Sequence, residues 1–153
     1  MTTATRTSSA SDLEAFRVAW DDFFGAVRRA RGRAARESTP GSLTLAQFQL
    51  LIAFEDEPEL SVGELALAGG VAPPTATRML ASLERDGIVE RRASEVDRRS
   101  VRVTLTPKGR RILRAKRKLV AAKQRAIFEA LTTTERRQAE SILRRLAVAM
   151  EEL

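Results

Sequence analysis

The stretch that decides the fold runs from Ser61 to Gly87, SVGELALAGGVAPPTATRMLASLERDG. Ser61 and Glu64 have the spacing of a capping box, in which each side chain accepts the other residue's backbone N–H at a helix start. A short helix through Leu65 and Leu67 follows. Gly69 and Gly70 stop it, because glycine takes the left-handed backbone of a helix end at little steric cost. Pro73 and Pro74 have no N–H to donate and fit only the first turn of the next helix. That helix runs through Met79, Leu80 and Leu83 and closes at Gly87. A short helix, a glycine turn and a second helix make a helix-turn-helix.

Downstream, Ile88 to Arg92 and Arg99 to Leu105 read as two strands around a polar tip, Ala93 to Arg98. In the second, Val101, Val103 and Leu105 alternate with Arg102 and Thr104, the period of a half-buried strand. A two-stranded ribbon in this place is a wing. Thr106 then caps a new helix with Pro107 at its first position. Upstream, Thr44 and Gln47 form another capping box and open a helix through Leu45, Phe48, Leu51, Ile52 and Phe54. Glu55, Asp56, Glu57 and Glu59, with Pro58, end it. Adjacent carboxylates on such a turn are solvated, and no glycine-containing ligand loop turns them into a calcium site, so no metal is expected.

At the flanks, Leu13, Phe16, Trp20, Phe23, Phe24 and Val27 recur at helical spacing, and Gly32, Pro40 and Gly41 then break the pattern between Arg31 and Ser42. Beyond Thr106, one helix carries Ile112, Leu113, Lys116, Leu119, Val120, Lys123 and Ile127 along one face. A third capping box, Thr132 with Glu135, opens a last helix whose Ala139, Ile142, Leu143, Leu146, Met150 and Leu153 make a near-heptad seam. The expected fold is mainly α with a small β-wing. Residues 1–11 form an unstructured leader, 12–36 an N-terminal dimerisation helix, 44–106 the winged helix-turn-helix and 107–153 the C-terminal dimerisation helices.

Composition narrows the function. The chain has 153 residues, 43% hydrophobic and 31% charged, within the globular range. Cys is absent, which suits a reducing cytosol and removes thiol redox sensing; His and Tyr are absent too. Transition-metal sites built on His and Cys cannot form, and general acid–base chemistry would fall to carboxylates or lysine, which weighs against an enzyme and against a cofactor. The leader lacks the apolar run of a signal peptide, and no uncharged stretch approaches a membrane span, so a cytoplasmic protein is expected. The net charge is +7, and twelve bases against two acids between Arg91 and Lys118 put +10 in that window. Such a patch suits a polyanion, a solvated helix face being the plain alternative; a membrane surface would require exposed aromatics on an amphipathic anchor.

The segments LTLAQFQLLIAFE, SVGELALAGGVAPPTATRMLASLERDGIVERR and DRRSVRVTLTPKGR, in this order between flanking helices, resemble the MarR family from about Leu13 onward. The string from Asp97 to Gly109 is the most specific of them. The pairs Pro73-Pro74 and Gly69-Gly70 depart from the usual turn and helix start. The resemblance implies a transcription regulator, in the repressor sense, that binds double-stranded DNA as a homodimer on a pseudo-palindromic operator. It also implies that Arg99 reaches into the minor groove, with Asp97 orienting it.

The residues support this independently. A helix in the major groove meets base edges near its N-terminus, here with Thr75, Thr77 and Arg78 and with Ala76 small enough for close approach. The helix's first N–H groups favour a phosphate; alternatively, Thr75 only caps its own helix. Arg91, Arg92 and Arg98 suit phosphate contacts, and a minor groove attracts Arg99 electrostatically. An exposed turn pair between Asp97 and Arg99 is the plainer reading of that spacing.

Leu13, Phe16 and Trp20, with Ile142, Leu146, Met150 and Leu153, supply a seam for a second copy, some of it intrachain core. Family resemblance further implies release by a small aromatic or anionic effector, for which Arg17, Trp20, Phe24 and Phe48 line a cleft unless the aromatics are plain core. The rival readings are a winged helix that binds proteins, or one that binds DNA without sequence choice.

Overall fold

The computed structural model describes residues 3–36, 41–93 and 101–153. Helix α1 spans Thr3–Arg36 and α2 spans Leu45–Leu51, extended by a 3-10 turn over Ile52–Glu55. Strand β1, Glu59–Ser61, leads directly into α3, Val62–Ala68, and then α4, Pro73–Arg85. Strands β2, Val89–Ala93, and β3, Val101–Leu105, precede α5, Pro107–Glu129, and α6, Thr133–Glu151.

Helix starts follow the sequence chemistry. Thr44 with Gln47, Ser61 with Glu64, and Thr132 with Glu135 each close a reciprocal capping box. Pro73 and Pro74 occupy the first turn of α4, and Pro107 that of α5. Gly70 and Gly87 take positive φ values of 60° and 68° where α3 and α4 end, a region costly for residues with a Cβ.

The sheet differs from the expected two-stranded ribbon. Its order is β1-β3-β2, antiparallel throughout, with Leu60 opposite Val103 and Arg91 also opposite Val103 from the other side. Three residues that share Ser61 with a capping box leave no readable period, so β1 is invisible in the sequence pattern. The pairing hides Leu60, Val89, Val103 and Leu105 and joins the ribbon to the helices.

Leu43, Phe48, Leu50 and Leu51 from the α2 region, Leu65 from α3, Ala76, Leu80 and Leu83 from α4, and Leu113 from α5 complete one core. Burying a large aliphatic side chain contributes about 1.5–3 kcal/mol, so this cluster dominates the stability of the segment from Leu43 to Leu113. The flanks are different. Helix α6 contributes no buried residue among those described, and Leu13, Phe16, Ile142, Leu143 and Met150 are more than half exposed.

Helix α1 also departs from its expected bounds. It starts at Thr3, inside the segment read as an unstructured leader, and ends at Arg36, the expected residue, with Gly32 inside it. No glycine or proline interrupts the chain between Thr3 and Phe24, and one interior glycine costs a helix only about 1 kcal/mol. Among the described residues, no helix is long and apolar enough to cross a membrane.

Candidate nucleic-acid interface

The geometry of α4 decides which of its side chains can meet a partner. Ala76, Leu80 and Leu83 are fully buried and fix one face onto the core. Spacing then turns Thr77, Arg78, Ala81 and Arg85 outward, and all four are exposed. Ala76 therefore cannot be the small residue that permits close approach, as its position near the helix start suggested. Ala81 has that place, one turn beyond Thr77 and Arg78. The spacing of Leu80 and Leu83 already contained this assignment.

Thr75 is half-buried and Thr77 donates its hydroxyl to the Pro73 carbonyl at 2.9 Å. Ala72 is the N-cap and no side chain caps the helix, so Thr75 does not serve as the cap. Arg78 has no hydrogen bond or ion pair to the described residues. The expectation that the first N–H groups of α4 await a phosphate does not hold. Pro73 and Pro74 have none, and the N–H groups of Thr75 and Ala76 both donate to the Ala72 carbonyl, at 2.9 and 3.1 Å. A partner at this helix start would meet chiefly side chains.

On the wing, Asp97, Arg98 and Arg99 lie outside the described residues. Arg92 is exposed and pairs with Glu90 at 2.8 Å, while Glu90 also accepts the Thr104 hydroxyl at 3.3 Å. Arg91 turns inward: its Nη2 donates to the Thr77 carbonyl at 3.2 Å, and its Nε lies 3.4 Å from Glu84. Arg102 bridges to Glu64 at 3.0 Å. Hydrogen bonds from the Ser61 backbone N–H and hydroxyl, with Arg102 nearby, hold the Glu64 carboxyl below its ordinary range.

The basic window is thus less uniform than its count. Lys108 donates to the Asp86 carbonyl at 2.6 Å, Arg110 to the Leu105 carbonyl at 2.7 Å, and Arg117 pairs with Glu55. Arg111, Arg114 and Lys118 remain exposed on α5. A second basic surface, masked in the whole-chain count by acids elsewhere, lies on α1, where Arg28, Arg29, Arg33 and Arg36 surround Gly32. Among the described residues no group of carboxylates is arranged to hold a metal ion.

The expected effector cleft does not assemble. Phe48 is 5% exposed and belongs to the winged-helix core, in one cluster with Leu51 and Leu65. Trp20 stacks against Phe16 and Phe24 along α1, with ring centroids 5.7 and 4.6 Å apart. Arg17 and Trp20 instead line a cavity of about 410 Å³ between α1 and α6, with Phe16, Leu146, Met150 and Leu153. Another cavity, about 490 Å³, lies between the end of α1, the start of α2 and α5, where Leu45, Leu119 and Val120 meet Arg31, Lys116 and Lys123. Sequence spacing within single helices could not show either space, since both form between distant segments.

A sequence model of the MarR family matches residues 43–101. Over 122 residues the chain is 34% identical to the HTH-type transcriptional repressor Rv2887 of Mycobacterium tuberculosis, covering 80% of this chain and 86% of that protein. It is 35% identical over 108 residues to the transcriptional repressor MprA of Escherichia coli, covering 69% of this chain and 61% of that protein. Among solved structures, the repressor CouR bound to a 23-mer DNA duplex superposes with a TM-score of 0.64 at 34% identity, over 80% of this chain and 89% of that one. FabT of Streptococcus pneumoniae in complex with DNA shares the fold at a TM-score of 0.78 and 24% identity, over 92% and 98% of the two chains.

Proposed function

The chain belongs to the MarR family, and on that premise we propose that it is a sequence-specific, duplex-DNA-binding transcription regulator, a repressor that acts as a homodimer on a pseudo-palindromic operator. The observation that carries this reading is α4 itself. One face is locked into the core while Thr77, Arg78 and Ala81 stand outward together. The DNA-bound state of CouR, a relative at 34% identity, supports the same partner for this chain.

In this reading Arg78 bonds bidentately to a base edge, and Thr77 and Thr75 add base or phosphate contacts. Arg99 enters the minor groove with Asp97 orienting it, and Arg92 and Arg98 contact phosphates. Two copies pair through Leu13, Phe16, Trp20, Ile142, Leu146, Met150 and Leu153, setting the two reading helices about one DNA turn apart. The exposed apolar face of α1 and α6 supports that pairing, because so much apolar surface is rarely left to water on a small monomer.

An anionic, partly apolar effector fits the cavity between α1, α2 and α5, where three cations surround aliphatic side chains. Binding there would bias the spacing of the reading heads and lower operator affinity.

Selection of bound fragments from genomic DNA, followed by footprinting, tests the function. The expected outcome is an enriched inverted repeat with half-sites about one helical turn apart. Enrichment without a shared sequence would instead favour binding without sequence choice. At fixed salt, Arg99→Ala is expected to weaken operator binding strongly while leaving the fold intact; unchanged affinity would remove the wing from the mechanism.

A further inference from the structure

Arg91 was expected to grip phosphate, yet its side chain is only 26% exposed, against 69% for its neighbour Arg92. It reaches two points on α4 seven residues apart, the Thr77 carbonyl at 3.2 Å and the Glu84 carboxylate at 3.4 Å. Its Nε is buried without a hydrogen-bond partner, so Glu84 holds it by charge rather than by a formed hydrogen bond. Across the sheet its register partner is Val103, which is fully buried. The strand beneath Arg91 is therefore anchored, and the guanidinium ties that anchor to the outward helix.

We propose that Arg91 is a positioning residue that fixes the angle of α4 against the wing, and that Glu84 is its counterpart. The proposal rests on α4 being the DNA-reading helix. Swinging Arg91 out to a phosphate would break both contacts and leave Glu84 an unpaired anion close to a polyanion. Planar guanidinium geometry matters here, because a lysine carries the charge but cannot serve two sites on separate turns.

This assignment predicts effects opposite in sign to simple electrostatics. Removing an anion near DNA should strengthen binding in general, whereas losing the brace should weaken operator binding. The test compares Glu84→Gln, Arg91→Lys and Arg91→Ala with the parent protein, titrated on the selected operator and on a scrambled duplex across a salt series. Amide hydrogen exchange of α4 is measured in the DNA-free protein.

The expected result is that Glu84→Gln and Arg91→Lys each lower operator affinity about fivefold. Arg91→Lys keeps its salt slope and its affinity for the scrambled duplex at parental values, Glu84→Gln binds the scrambled duplex at least as tightly as the parent, and exchange along α4 speeds up in both. The proposal is overturned if Arg91→Lys binds like the parent while Arg91→Ala loses about 0.9 of salt slope on both duplexes, the mark of a phosphate contact. It is equally overturned if Glu84→Gln binds the operator at least as tightly as the parent with α4 exchange unchanged. A parent that does not distinguish the duplexes would sink the sequence-specific reading alone, and the exchange data would still decide the brace.

Discussion

Glu64 joins α3 to the middle strand of the sheet: one carboxylate oxygen accepts Nη1 of Arg102 at 3.0 Å and the Ser61 backbone N–H at 2.7 Å. A helix cap and a strand-to-helix bridge thus meet on one side chain. Its carboxyl is held below the ordinary 4.5, chiefly by the Ser61 backbone N–H, and Glu135 is held below it by Thr132. For a carboxylate depressed in the folded state, the stabilisation is present above the unfolded value and lost as pH falls through the folded one. Glu64→Gln should therefore lower the denaturation midpoint at neutral pH, and the gap to the parent should close as pH drops below 4.5. Chemical denaturation across that range measures it.

Gly109 is buried in the first turn of α5, where a Cβ would stand 2.0 Å from the Ile88 carbonyl oxygen. That oxygen accepts the Thr106 N–H, so neither backbone can give way cheaply. Gly109→Ala should cost about 3 kcal/mol or more, read by thermal denaturation.

Gly70 separates conformational strain from crowding. Its φ is +60°, and nothing lies within 4 Å of an added Cβ. Gly70→Ala should cost about 1–2 kcal/mol through the left-handed backbone alone. Gly70→Asn should cost less, because asparagine visits that region more readily.

Leu146 lies on α6 facing Phe16 and Trp20 of α1 across their shared cavity. Leu146→Asp should shift the protein toward a monomer in sedimentation while leaving the winged-helix core, and its thermal transition, near parental values. The core from Leu43 to Leu113 contains no α6 residue.

The winged helix-turn-helix was legible because its punctuation is chemical. Ser61 and Glu64, Gly69 and Gly70, Pro73 and Pro74, and Thr106 with Pro107 each force a local geometry, and each stands at the element boundary it implied. Strand β1 escaped notice because three residues carry no period. The start of α1 did too, since the Thr, Ser and Ala residues before Asp12 carry no apolar stripe, yet no glycine or proline among them stops the helix. The candidate interface was half legible: the outward placement of Thr77 and Arg78 follows from helical spacing, whereas the inward turn of Arg91 depends on Glu84 and Thr77 being brought to it by the fold. Phe48 took the plainer of its two readings, core rather than cleft, in a cluster whose other members are distant in sequence.

The most direct measurement is the stoichiometry and affinity of this protein, and of Arg78→Ala, on a selected operator and on a duplex with one half-site scrambled. A homodimer on a pseudo-palindrome puts two chains on each operator, and Arg78→Ala is expected to lose about 1–3 kcal/mol, a loss that falls on one base pair of each half-site. One chain per duplex, or equal affinity for intact and scrambled sites, would contradict it.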